Sequence, residues 1–372
     1  MRVFKVIIDC SPISKGGGLQ VMINTLNALL KNPSNFEYKI IISKSTFKYL
    51  PRSIQNNKNI YWIKKNNIFQ KLKMLFMIYY ILIKFRPHLV YTVFGPQYFK
   101  PFTKHLVGFA KPSLIYPRIE ENDKFTKIVK DFFAKIIFKL SDYYIVETEI
   151  VKKNLSRILK IKSNKIFVLR NSVNPKLLEV NKNKINKKLN PKSNNILVPA
   201  AYYPHKNLES LITIASKMLN YRKDFRFILT IDKKIFEEKF YFKIKNNSVK
   251  NHIINIGSQS LKSLAKYYLE SDFVFLPTLL ECSTAVYPES FYFNIPLITS
   301  NLEFARELCG EAAVFCNPRD HEECSRSILN LIEDNDLQKR LIANGKKQLN
   351  NYITSNERKI NLENIFSEII KK

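Results

Sequence analysis

The stretch Pro277–Glu289, PTLLECSTAVYPE, follows the apolar run Phe273-Val274-Phe275-Leu276, which reads as a buried parallel strand. Two carboxylates, Glu281 and Glu289, stand eight positions apart, with Cys282, Ser283 and Thr284 between them. A helix starting near Ser283 would present its free N–H groups beyond the strand's C-terminal end, where α/β sheets bind ligands. Backbone donors suit a phosphate, and carboxylates with several acceptor sites suit the hydroxyls of a sugar or ribose. A nucleotide-sugar pocket needs this mix.

Two further stretches flank it. Upstream, ILVPAAYYPHKNLESLI (196–212) is a strand, a polar loop and a helix. Downstream, SFYFNIPLITSNLEFARELCGEAAVFCNPRD (290–320) holds a strand, a loop, Glu307 to Gly310 and a last strand. In this order the three resemble the retaining glycosyltransferases of family 4. That resemblance implies an α/β chain of GT-B fold, with two Rossmann-like parallel-sheet domains facing a central cleft.

The resemblance also implies roles. Glu281 matches the glutamate that contacts the donor sugar near its reacting carbon, and Glu289 the one that binds the ribose hydroxyls. Lys206, in Tyr203-Pro204-His205-Lys206-Asn207, matches the lysine aimed at the donor phosphates. Catalysis is thus expected from Glu281 and Lys206. Donor binding is expected from Gly16, Gly17, Gly18, His205, Asn207, Ser283, Thr284, Ala285 and Glu289. The sequence departs from the family in three places. Ala201 stands where an Arg is usual, leaving His205 or Arg170 to supply that charge. Cys282-Ser283-Thr284 replaces Gly-Phe-Gly. No His stands in Val107 to Pro112; the nearby His105, alone at a strand start, reads as structural.

Toward the N-terminus, residues 3–9 read as a strand, Lys15 to Gly18 as a glycine turn and residues 19–31 as an amphipathic helix. Three of the eight glycines lie in that turn, where bare backbone N–H groups can approach a phosphate closely. Further strands are expected at 38–43, 59–63, 89–94, 105–109, 141–146 and 165–169. The helix 68–85 is apolar nearly all round, which implies burial or a membrane interface. The helix 124–140 gathers Ile128, Phe132, Phe133, Ile136, Ile137 and Leu140 on one face and spreads Lys124, Lys127, Lys130, Lys135 and Lys139 over the remainder. That profile fits a helix lying on an anionic membrane, or one packed on the sheet with a wet lysine face. The polar, basic segment 181–195 reads as a linker. The expected division is therefore 1–180 on the acceptor side, linker 181–195, a nucleotide-sugar domain 196–352, and a C-terminal helix 353–372 crossing back.

Composition bounds the rest. The chain has 372 residues, 45% hydrophobic and 25% charged, which suits two globular domains. Five cysteines without a C-x-x-C pair read as reduced thiols and no zinc site. MRVFKVIIDC reads as a strand rather than a signal peptide, and the longest apolar run, 74–83, is too short to span a bilayer. A cytoplasmic protein on the inner face of the plasma membrane is expected. Of the net charge of +30, residues 1–180 carry +22. An anionic membrane surface is one partner this implies; a nucleic acid is another, but no recognition motif supports it. The Asp334-Asn335-Asp336 triplet has the look of a metal motif, but it stands between helices, where Asp334 caps the next one. No metal and no cofactor are expected. The partners are a nucleoside diphosphate sugar as donor and a glycan or lipid-linked glycan as acceptor, in surface polysaccharide assembly. Glu120, Glu121 and Asp123 are the clustered acids that would favour an epimerase or hydrolase instead.

Overall fold

Short apolar runs become parallel strands, because a strand covered by helices on both faces has no wet side. The computed structural model describes all residues except 1–2, 15, 32–33, 65–66, 117–124, 181–188 and 246–247. In chain order come β1 (Phe4–Cys10), α1 (Gly17–Lys31), β2 (Phe36–Ser43), β3 (Ile60–Ile63), α2 (Ile68–Phe85), β4 (Leu89–Thr92), β5 (Lys104–Gly108), α3 (Phe125–Lys139), β6 (Tyr143–Val146), α4 (Glu149–Leu159) and β7 (Ile166–Val168). There follow β8 (Asn194–Val198), α5 (Ser210–Met218), β9 (Phe225–Leu229), β10 (Ile253–Asn255), α6 (Leu261–Glu270), β11 (Phe273–Leu276), α7 (Val286–Tyr292), β12 (Leu297–Ser300), α8 (Glu303–Cys309), β13 (Ala313–Cys316), α9 (His321–Glu333), α10 (Asn335–Leu349) and α11 (Ser355–Lys371).

Two units result: Met1–Asn171 with Ile353–Lys372, and Ser172–Tyr352. The break falls earlier than the 180/181 boundary read from composition. The short helix Pro175–Leu178 buries Leu177, and the Leu178 carbonyl accepts from the Tyr292 hydroxyl at 3.2 Å, so this segment packs within the second unit. Residues 181–188 of the expected linker lie outside the described residues, and Asn194 and Asn195 already belong to β8.

The first unit's sheet has the order β3-β2-β1-β4-β5-β6-β7. On one face α1 and α11 pack Met22, Leu26, Ile365 and Phe366 against Val6, Ile8 and Tyr91. On the other, α2 packs Ile78, Leu82 and Phe85 against Ile7, Ile41 and Val90. Gly108 is obligatory: a Cβ there would meet the Val93 carbonyl oxygen at 1.8 Å. The second unit's sheet has the order β10-β9-β8-β11-β12-β13. In both sheets the strand order reverses at one point, between β1 and β4 and between β8 and β11. Loops leaving the C-terminal ends of such strand pairs diverge and open a crevice.

Candidate functional site

The loops that follow β8 and β11 carry the two residues expected to act in catalysis. After β8 the chain makes a tight turn at Pro204–Lys206 and leaves it through Asn207, in the left-handed region at φ 55°. That conformation suits Asn. The Asn207 side-chain amide donates to the Pro318 carbonyl at 2.9 Å, so it serves the loop's shape. The His205 carbonyl accepts from Leu279 N at 2.7 Å and from Thr278 Oγ1 at 3.0 Å. These bonds pin the β8 loop to the β11 loop.

With the loops joined, Lys206 Nζ donates to Glu281 Oε1. The two side chains are 15% and 13% exposed. His205 Nε2 lies 3.9 Å from the same carboxylate oxygen, and the Tyr203 ring stacks on the His205 ring at 5.6 Å. The edge of the crevice thus holds an ammonium and a carboxylate, each largely out of water and each balancing the other. An incoming anion can take the ammonium only by competing with Glu281.

Glu289 has different surroundings. The helix expected near Ser283 begins at Val286 instead. Pro288 explains the shift: it has no N–H to give, so it is tolerated in a helix's first turn and not deeper. Glu289 then points into the unit, 5% exposed, and its Oε2 accepts from the Tyr268 hydroxyl at 2.8 Å. Burial pushes its carboxyl up to about 7, against the opposing pull of that hydrogen bond. Tyr268, on α6, is fully buried and stacks on Phe293 at 5.1 Å. Nothing in the sequence singles it out beyond its position two residues before the end of the helix leading into β11. Thr284 Oγ1 accepts from Val286 N at 3.3 Å, Ser283 is half-buried and Ala285 is exposed at the helix start.

The other expected residues are placed as follows. Gly16, Gly17 and Gly18 belong to the first unit. Gly16 has φ 73°, while Gly17 and Gly18 already form the first turn of α1, two residues before the expected helix start. Ala201 is exposed and brings no charge. Arg170 belongs to the first unit, where its carbonyl accepts from Arg358 Nη1 at 2.6 Å. Asp334 Oδ1 accepts from Leu337 N at 2.8 Å as the cap of α10, and Asp336 pairs with Lys339. Glu120, Glu121 and Asp123 lie outside the described residues. A hollow of about 570 Å³ in the first unit, between β3 and α2, is lined by Trp62, Lys64, Lys73 and Met77 among others and contains none of the expected site residues.

Residues 179–348 match the family model "Glycosyl transferases group 1". No curated protein matches the sequence. Three solved structures share the fold across the whole chain. Sucrose-phosphate synthase from Thermosynechococcus elongatus superimposes with a TM-score of 0.74 at 14% identity, over 99% of both chains. A glycosyltransferase from Rickettsia africae gives 0.72 at 18%, over 100% of both. HepE from Anabaena in complex with UDP gives 0.73 at 12%, over 98% of this chain and 100% of that one; it is also solved with UDP-glucose. The chain therefore has the GT-B fold, residues 179–348 of its second unit are similar to the group 1 glycosyl transferases, and the protein is a glycosyltransferase.

Proposed function

We propose that the protein is a retaining, metal-independent transferase of family 4. It moves a sugar from a nucleoside diphosphate donor to a glycan or lipid-linked glycan during surface polysaccharide assembly, on the cytoplasmic face of the plasma membrane. The observation that carries the reading is the Lys206–Glu281 pair, pinned where the strand order reverses in the second unit. HepE, of the same fold, is solved with UDP and with UDP-glucose, which supports a nucleotide-sugar donor. The basic first unit supports an acceptor at an anionic surface.

In this reading the donor diphosphate takes Lys206 from Glu281, and the freed carboxylate turns to the sugar. The bond from the anomeric carbon to the diphosphate oxygen breaks, and the acceptor hydroxyl oxygen bonds to that carbon from the same face. The hydroxyl proton passes to the departing phosphate, so no separate base is needed and configuration is retained. Positive charge builds on the ring beside Glu281, and negative charge builds on the diphosphate beside Lys206.

A panel of nucleoside diphosphates and their sugars, read by thermal shift, identifies the donor, since a ligand that binds only the folded state raises the melting point. With that donor, Lys206→Ala should lower turnover about a hundredfold or more, the scale of one lost transition-state donor (about 3–4 kcal/mol). Activity should survive excess EDTA. Loss in EDTA with recovery in magnesium or manganese would overturn the metal-independent account.

A further inference from the structure

The first unit exposes large apolar side chains in an ordered way. Along α2, Phe69, Leu72, Phe76, Tyr80 and Ile83 all face solvent, Phe69 at 78% and Phe76 at 76% exposure. Their spacing of three and four residues makes one stripe down the helix. The opposite side of α2 is core, so folding accounts for that side's apolar content and not for the exposed stripe. On α3, Ala134 and Phe138 are buried, while Phe132, Phe133 and Ile136 are exposed, with Leu140 just beyond the helix end.

Both helices cover the same face of the sheet. Partnered residues on parallel strands point the same way, and the pairs Ile7–Val90, Val90–His105, Thr92–Val107 and Val107–Tyr144 carry one face from β1 to β6. The α2 core packs on Ile7 and Val90 of that face. The Tyr144 hydroxyl donates to the Phe138 carbonyl at 2.7 Å, which seats α3 there too. The loop between β4 and β5 ties the helices together. The Tyr79 hydroxyl on α2 donates to the Lys100 carbonyl at 3.0 Å, and Gln97 Nε2 donates to the Ile137 carbonyl on α3 at 2.9 Å. That loop adds Phe102, 80% exposed, to the surface.

The charge on this layer has one sign. α2 carries exposed Lys71, Lys73 and Lys84 and no acid; α3 adds exposed Lys130 and Lys139. The one acid on α3, Asp131, is held by Lys111 at 2.6 Å. Among the described residues no helix is long and apolar enough to cross a membrane. We infer that α2, the β4–β5 loop and α3 form a single face that lies flat on an anionic phospholipid bilayer. Its apolar side chains enter the acyl boundary and its lysines stay among the headgroup phosphates. A second copy of this chain is a poor occupant, because a symmetric interface would set these lysines against their own copies. The inference rests on the lipid-linked acceptor reading above and names the surface that would bring such an acceptor within reach.

Flotation of the full chain with phosphatidylcholine vesicles, with and without phosphatidylglycerol, tests it. Binding should require phosphatidylglycerol. The exposed-residue variant Phe69→Gln, Phe76→Gln, Ile83→Gln should weaken it by roughly tenfold or more, as should Lys71→Glu, Lys73→Glu, Lys84→Glu. Phe132→Gln with Phe133→Gln on α3 should weaken it as well, which an anchor made of α2 alone would not show. The donor-induced thermal shift should stay unchanged in all three, which also reports that they fold. Wild type that ignores phosphatidylglycerol vesicles, or variants that bind like wild type, would overturn the inference while leaving the transferase reading standing. A dimer that the α2 variant abolishes, without vesicle binding, would also overturn it and make the face an interface between copies. Vesicle binding without any donor-induced shift would count against the transferase reading alone.

Discussion

Glu289 and Glu281 come from one stretch of sequence, yet their surroundings separate them. Glu281 is held at the crevice edge by an ammonium; Glu289 is buried against a tyrosine hydroxyl, and burial lifts its carboxyl from 4.5 to about 7. A raised carboxyl means that the folded state holds its proton more tightly than the unfolded chain does. The stabilisation is complete below about pH 4.5 and is lost as pH rises through about 7. The ionised form is the better acceptor for hydroxyls. Nucleotide affinity in the wild type should therefore tighten as pH rises across about 7, and Glu289→Gln should weaken binding and flatten that dependence. Calorimetric titration on either side of neutrality checks this, and a flat wild-type profile would remove Glu289 from the ribose. Chain spacing marked both glutamates but not their difference, because Tyr268 reaches Glu289 from a helix 21 residues upstream.

Elements differed in how far the sequence exposed them. The ends of α2, Ile68 and Phe85, could be read directly: Pro87 stops the helix and Asn67 caps it through Gln70 N. The start of α7 lies at Val286 rather than near Ser283, because Pro288 fits only a helix's first turn. α4 is legible too, since Val151, Leu155 and Leu159 make a plain helical stripe. The face α3 presents to solvent could not be known, since an apolar side chain looks the same in the sequence whether it meets a sheet or water. Contacts between elements were out of reach altogether, as in the polar chain that runs across the first unit's sheet. Gln97 donates to Ser141, Ser141 to His105 Nδ1, His105 Nε2 to Thr92 and Thr92 to Asp9, at 3.0, 3.3, 3.0 and 3.1 Å. This sense of donation places one proton on His105, at Nε2, and keeps the ring neutral. Burial, reinforced by Lys100, lowers His105 from 6.5 to about 4. The unfolded chain then binds the extra proton first, so stability is full above about pH 6.5 and falls as pH drops toward 4, by about 3 kcal/mol in all. Thermal unfolding of the first unit should show that acid-side loss, and His105→Gln should remove most of it. An unchanged slope in the variant would mean that the proton goes elsewhere.

At the scale of the whole molecule, the second unit was the more legible. Its motifs stand in one continuous stretch, and the family match, 179–348, falls wholly inside it. The first unit is read from charge and helix faces, which say what it touches better than what it does. It is also the unit made of two pieces. α11 buries Leu362, Ile365, Phe366 and Ile369 in its core, and Glu363 accepts from the Tyr38 hydroxyl at 2.7 Å. Four such side chains contribute about 1.5–3 kcal/mol each, a sum comparable to the whole stability of an ordinary domain. A chain ending at Tyr352 should therefore lose the cooperative melting of the first unit and keep that of the second. Two intact transitions would contradict this.

A ribosome delivers residue 171 long before residue 355. For that interval the first unit has seven strands and no α11 to cover Val6, Ile8 and Tyr91. The second unit, contiguous in the chain, meets its last helix while the first still waits. The order of synthesis is thus the reverse of the order of completion. The half of the protein made first spends translation as a nascent chain with an open hydrophobic face, the kind of surface that a chaperone holds.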